Sequence, residues 1–355
     1  MSRFAVVVVS LALALPTLVH AAKVDWLYDV DVPVADQSGA ERSNAFRTAL
    51  AVVLQRITGL TEIPQTDTVK AALDDPQRYL VEYRYREDSM VDSDGVENRQ
   101  LILAVHFSEA AMLKLIGDAR LPLWSSNRPT TVAWIAVADG GTRSVLGADD
   151  PSELLLAIRE RAKARGLPLV VPAMDADERG QISPTVVWDG MVDVLEPASE
   201  RYAADELLIG HLNHDPSGSW AAEWELRQNG TEQRFSIYSA SAEEAGAAIV
   251  DRIADDLVAR YVVHSGDDRQ LEIRVDGIAN VQDYGALLGY LDSLEFIDSV
   301  RVDEVTHDAV SLSLETHTQW DRLRDLFALD GRLKPSEGAN TVGVLSMTWQ
   351  GAPAQ

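Results

Sequence analysis

Alternation and helical spacing divide this chain into three stretches of mixed elements behind a short apolar leader. From Trp26 to Val32 apolar and polar residues alternate as on a strand. Pro33 to Gly39 is a turn-rich break. Glu41 to Thr58 then carries Ala45, Phe46, Ala49, Leu50, Val53 and Ile57 at helical spacing on one face, and Gly59 is a natural stop. A short helix near Thr66–Leu73 precedes a strand with Tyr79, Val81, Tyr83 and Tyr85 on one face and Leu80, Glu82, Arg84 and Arg86 on the other. A return strand follows the loop Asp92–Gly95, with Leu101, Leu103, Val105 and Phe107 inward. Ser108 caps a helix ending near Gly117. This first unit, 23–121, has the order β-α-α-β-β-α.

Leu121 to Pro129 reads as a linker whose Leu123 and Trp124 pack it down. The second unit, 130–265, opens with a buried-type strand at Val132–Val137. Gly140-Gly141 is a turn, Glu153–Ala164 a helix stopped by Gly166, and Leu167–Pro172 a second strand, parallel to the first. A helical stretch near Val192–Tyr202 leads to a strand at Glu206–Leu212. Asn229-Gly230 joins Trp220–Gln228 to Thr231–Ser239 as a hairpin, and Ser241 caps a long helix. The third unit, 269–350, reads as strand, helix, two strands around His307-Asp308, helix and strand. That is the ferredoxin-like order β-α-β-β-α-β. The fold class expected is α+β in three small units.

The leader changes where such a protein would work. Arg3, an apolar run from Phe4 to Leu18 and Val19-His20-Ala21 are the parts of a secretory signal, 1–21, cut after Ala21 or Ala22. The expectation is a periplasmic protein with no membrane span after cleavage. Of the 355 residues none is Cys, which excludes disulfides, thiolate metal sites, Cys nucleophiles and a lipid-bearing N-terminal Cys. The net charge of −25 sets the surface against nucleic acid and anionic headgroups. With export taken as bacterial, the sequon at Asn229 is expected to carry no sugar.

Candidate chemistry is thin. His211 and His214 lie on opposite faces if their segment is extended, which argues against a shared ion. Asp175-Ala176-Asp177-Glu178-Arg179-Gly180 imitates a calcium loop, but Arg179 and Val186 stand where oxygen ligands belong, so an acidic loop is expected. Asp29 and Asp31 share one strand face. Paired carboxylates can hydrolyse glycosidic bonds, and they equally make the wet face of an edge strand. There is no HExxH, no phosphate-binding glycine loop and no nucleophile elbow. Neither a catalytic residue, a metal nor a cofactor is therefore assigned. Tyr79, Tyr83 and Tyr85, with Trp124 and Arg128, are the candidate interaction residues, because an exposed aromatic strand can recruit a partner by strand addition. The competing expectation packs the tyrosines under the first helix, and Trp320 into the last core.

Four stretches carry a resemblance. They are Leu27-Tyr28 through Ser38 with Glu41-Arg42 and Ala49–Gly59; Leu123–Pro129 leading to Trp134; Arg165–Leu169 through Pro172; and Ala198–Asp205 continuing to Gly210. Together they resemble domain-of-unknown-function family 2066, exported proteins of gammaproteobacteria. That resemblance implies an envelope location and brings no activity, cofactor or catalytic residue. The middle unit's strand, hairpin and closing helix also resemble domains of outer-membrane assembly lipoproteins, from which the missing Cys departs. The function expected is a non-enzymatic binding or envelope-assembly accessory protein, with an envelope protein or a peptidoglycan-associated partner. The alternative is a periplasmic hydrolase acting on cell-wall or sugar material through carboxylates such as Asp29, Asp31, Asp175 or Asp189.

Overall fold

A computed structural model describes residues 22–91, 97–215, 218–228, 230–264, 269–316, 318, 320–329, 331–336 and 344–351. The leader and Asn229 lie outside the described residues, as does the side chain of Trp320. The fold is α+β, with the described strands in four sheets, one of them a two-stranded pair of short strands at 22–23 and 127–128.

The first unit holds β1 (Ala22–Lys23), β2 (Asp29–Val34), α1 (Gly39–Thr58), α2 (Asp67–Asp74), β3 (Leu80–Val91), β4 (Glu97–Phe107) and α3 (Glu109–Ala119). A turn of 3-10 helix, Asp25–Tyr28, takes the place of the expected strand start. β2 instead runs through Pro33, which an edge strand tolerates. The sheet order β2-β4-β3 leaves both outer strands as edges. Val30, Val32, Leu103, Val105 and Phe107 bury one face against Phe46, Leu50 and Val53 of α1. Ser38 and Ser108 cap α1 and α3 by accepting the amides of Glu41 and Ala111. Tyr79 ends a second 3-10 turn, Pro76–Tyr79, and so leaves the strand face expected for it.

β5 (Asn127–Arg128) pairs with β1. The middle unit then runs β6 (Thr131–Asp139), β7 (Thr142–Val145), α4 (Glu153–Arg165), β8 (Leu169–Val170), α5 (Ala176–Gln181), α6 (Pro184–Trp188), α7 (Val192–Ser199), β9 (Glu206–His214), β10 (Trp220–Gln228), β11 (Thr231–Ser239) and α8 (Ala242–Tyr261). Its sheet is ordered β11-β10-β9-β6-β7, with β8 parallel to β6. The Gly140-Gly141 turn, both residues at positive φ, folds β7 back as an additional strand. Of the strand expected at Leu167–Pro172 only two residues pair, because Pro168 and Pro172 bound it. The expected acidic loop is a helix start: Asp175 accepts the amides of Asp177 and Glu178 and caps α5. α4 and α8 cover one face of the sheet, and α6 and α7 cover part of the other. β10 and β11 are left open on that second side.

The last unit holds β12 (Arg269–Asp276), α9 (Val281–Asp292), β13 (Ser299–Val305), β14 (Ala309–Thr316), α10 (Trp320–Ala328), β15 (Leu333–Pro335) and β16 (Val344–Trp349). The order β-α-β-β-α-β is present, and β15 is added to it. β15 forms the outer strand, so β16 enters between β15 and β12 and runs parallel to β12.

The segment expected to link the first two units is interior. Leu123 pairs with Val263 by two backbone hydrogen bonds, both 2.7 Å. Trp124 N donates to Ile57 O, and Ser126 N donates to the buried Glu295 carboxylate of the third unit at 2.8 Å. Arg128 is 0% exposed. It donates to the carbonyls of Trp124 and Ser125, of Arg56 at the end of α1, and of Gly166 at the end of α4. Its guanidinium lies 3.8 Å from the centre of the Trp124 ring. Gly166, at φ +69, leaves room for it, since a Cβ there would collide with the guanidinium. One stretch of about ten residues thus hydrogen-bonds to all three units.

Candidate functional site

Two of the five candidate interaction residues are removed from the surface. Trp124 and Arg128 fill the junction just described, where no outside partner reaches them. Tyr79 and Tyr85 are half-buried against the first core. Tyr83 stays 46% exposed although its ring meets Phe46 edge-on at 5.1 Å and Tyr85 at 6.3 Å. The tyrosines therefore pack toward α1, as the competing expectation has it, while Tyr83 keeps an accessible face.

What makes Tyr83 accessible is topology. β3 pairs with β4 alone, so the alternate N–H and C=O groups on its other side have no strand partner. The pairing slips between Leu80 and Glu82, and the displaced Val81 is 62% exposed. Beside this edge a groove of about 520 Å³ runs between α1 and the start of β3, lined by Arg42, Phe46, Gln77, Val81 and Tyr83.

The opposite face of the same sheet is polar and open. Asp29 and His106 face each other across β2 and β4, with Asp29 Oδ1 2.7 Å from His106 Nδ1. Asp31 is held by Arg86 at 3.1 Å and by Lys163 of α4 at 3.4 Å. Together with Glu82 and Arg84 these groups line a shallow basin of about 450 Å³ floored by Ala104. Asp29 and Asp31 do share one face, but the four carboxylates considered for hydrolysis do not meet. Asp175 is spent on α5 and on Arg201, 2.9 Å away; the Glu178 amide first, then Arg201, hold its carboxyl below the usual carboxylate range. Asp189 follows α6 in the middle unit.

Near Asp189 lies a groove that sequence reading missed, of about 340 Å³ between α6 and the open half of the middle sheet. His211 stacks on Trp188 at 4.5 Å and Arg143 covers that ring at 3.9 Å, so both ring faces are occupied. His214 points the other way, stacking on Trp220 at 4.6 Å and bonding Asp139 at 2.9 Å. The two histidines therefore share no ion, as extended backbone implies. Among the described residues no group of three or more His, Asp and Glu is placed to hold a metal.

A cleft of about 570 Å³ between the middle and last units is lined by Gln228, Arg260, Tyr261, Arg322 and Asp325. Glu206 lies in register with Gln228 and accepts from Thr131 Oγ1 at 2.8 Å, while its other oxygen is buried without a partner. Burial pushes its pKa up to about 7 against the Thr131 bond. In sequence Glu206 reads only as a polar strand start.

These features define the class: a multi-unit α+β protein whose first sheet offers a long open edge, and in which no described helix is long and apolar enough to cross a membrane. Residues 21–125, which include that edge, match a family described as "Domain of unknown function (DUF8605)". The chain thus contains an uncharacterised domain, as the resemblance implied, though the matched family is not number 2066. No curated protein matches the chain. A solved structure titled "Crystal structure of uncharacterized protein" is similar at 10% identity over 37% of this chain and 90% of that chain. Its TM-score of 0.18 is too low to define a shared fold.

Proposed function

We propose that this is a periplasmic, non-enzymatic binding or assembly accessory protein of the bacterial envelope, exported by its leader, which presents the β3 edge to a partner. The observation that carries the reading is the edge itself: Val81 and Tyr83 stand exposed beside unpaired backbone on a sheet buttressed by α1. The acidic surface and the absence of Cys support a soluble partner of envelope proteins rather than a lipid-tethered one. Kinship with family 2066 belongs to the same proposal and rests on the four stretches quoted for it.

The test is site-specific photo-crosslinking in living cells. A photoreactive residue replaces Val81 or, as a control, Val281 of α9, which is 84% exposed in another unit. A discrete adduct from position 81 and none from 281 is expected, with the processed chain in the periplasmic fraction. Equal background at both positions, or an unprocessed chain in the cytosol, overturns the reading. A second reading is favoured by one feature: Asp29, Asp31 and His106 share a basin. If the protein is a cell-wall hydrolase, purified protein releases fragments from peptidoglycan and Asp29→Asn abolishes the release.

A further inference from the structure

Register orders the polar basin on the open face of the first sheet. Asp29, His106 and Glu82 stand in one row across β2, β4 and β3, and Asp31, Ala104 and Arg84 stand in the next. Most of the charges here are taken up by one another. Asp29 bonds His106, and Asp31 holds Arg86 and Lys163. Glu82 and Arg84 remain: both are exposed, and neither has a side-chain partner among the described residues. Two positions apart on one strand, they share a face and rise from it about 7 Å apart, and no ion pair joins them. Beside Arg84 the small side chain of Ala104 leaves the middle of the basin hollow.

We propose that this basin binds a free α-amino acid as its zwitterion, with the ammonium on Glu82, the carboxylate on the Arg84 guanidinium and the side chain over Ala104. The inference is independent of the β3 edge and requires no reaction in the basin. One unengaged pair of opposite charges suits a ligand that carries both signs and no net charge. A simple anion would meet Asp29, Asp31 and Glu82 around Arg84, and a simple cation would meet Arg84, Arg86 and Lys163 around Glu82. A zwitterion, by contrast, is neither drawn to nor driven from a chain of net charge −25 as a whole. Spacing narrows the class. The charged groups of an α-amino acid lie about 3 Å apart, and a hydrogen bond of about 2.8 Å at each end brings the span to about 8 Å. That is close to the separation of the two side chains, whereas an extended γ-amino acid overshoots it. Arg84 can take the carboxylate through two parallel N–H bonds, which an ammonium in its place could not.

The experiment is ligand-observed saturation-transfer NMR on the full mature chain. Alanine is the probe, and acetate, methylamine and γ-aminobutyrate are the controls. Alanine is expected to bind saturably with a Kd of about 1–10 mM, as exposed contacts allow, and each control about fivefold more weakly or worse. Arg84→Gln and Glu82→Gln are each expected to weaken alanine by about fivefold or more at an unchanged melting temperature, since both positions are exposed. Glu87→Gln, on the other face of the same strand, is expected to leave binding as it is. Equal binding of acetate or of methylamine, which would show that one charge suffices, overturns the proposal. So does equal binding of γ-aminobutyrate, full alanine binding in either basin variant, or no saturable binding of alanine at tens of millimolar.

Discussion

Arg128 offers the sharpest test of how the three units are joined. Replacing it with leucine keeps much of the volume and removes every donor. Four carbonyls from three separate segments then lose a cationic partner in a place water does not reach. A hydrogen bond to a charged group contributes about 1.5–3 kcal/mol. The four together would exceed the stability of many domains if nothing offset them. What offsets them is the desolvation of the guanidinium, several kcal/mol, which the leucine variant no longer suffers. Burial drives the Arg128 pKa down to about 9, with the Glu295 carboxylate opposing, so the side chain is still cationic at neutral pH. The net loss expected is about 3–5 kcal/mol, because four neutral carbonyls are left buried without a donor, each costing about 1–3 kcal/mol before the relief of desolvation is set against it. Arg128→Lys should fall in between, since an ammonium keeps the charge but not the planar fork or the stacking on Trp124. Equilibrium urea unfolding, followed by circular dichroism and by limited proteolysis, measures both. Because Arg128 ties α1 to α4, the leucine variant should also release the first unit at lower urea than the rest. A single transition with an unmoved midpoint would refute the reasoning.

Glu206 should impose a pH dependence on stability. The unfolded chain ionises it near 4.5 and the folded chain only near 7. The folded state thus binds the extra proton, and stability falls as pH rises between those values, by about 3 kcal/mol, and levels off above. Glu295, also raised by burial, adds a fall of the same sign. Glu206→Gln should flatten the melting temperature against pH over this window; curves that stay parallel to the parent's would contradict it. Gly210→Ala should cost about 1–3 kcal/mol by overpacking, because its Cβ would fall within the Trp224 ring across the β9–β10 pair. An unchanged melting temperature would show that the indole can move aside. Asp251→Ala removes the acceptor that Arg161 and the nearly buried Arg165 share at 2.8 and 2.6 Å. A loss of about 2–4 kcal/mol in chemical denaturation is expected, less whatever Asp255 retains of Arg165.

How far these sites could be read from the chain depends on the range of the interactions that make them. Helix starts are local: Ser108 and Ser241 cap the helices expected of them, and Ser38 and Ser152 cap two further helices that spacing predicts without reference to a cap. The hairpin joining β10 and β11 is local too, and so is the alternation that puts Asp29 and Asp31 on one face. Arg128 is not local. Ser125-Ser126-Asn127-Arg128-Pro129 has the composition of an exposed loop, yet two of its acceptors lie 38 and 72 positions away in sequence. Only the meeting of α1 and α4 creates the polar socket that makes burial of a guanidinium affordable. Trp124, four residues earlier, is the one local hint, since it supplies the ring on which the guanidinium lies. The edge at β3 fails to show for a related reason. Alternation assigned Tyr83 its face, but whether a strand is inner or outer depends on which strands flank it. That is decided when β4 takes the central place between β2 and β3. A buried pin and an open edge are thus both products of chain topology. The first holds α1, which backs the sheet of the second, against the end of α4 through the carbonyls of Arg56 and Gly166.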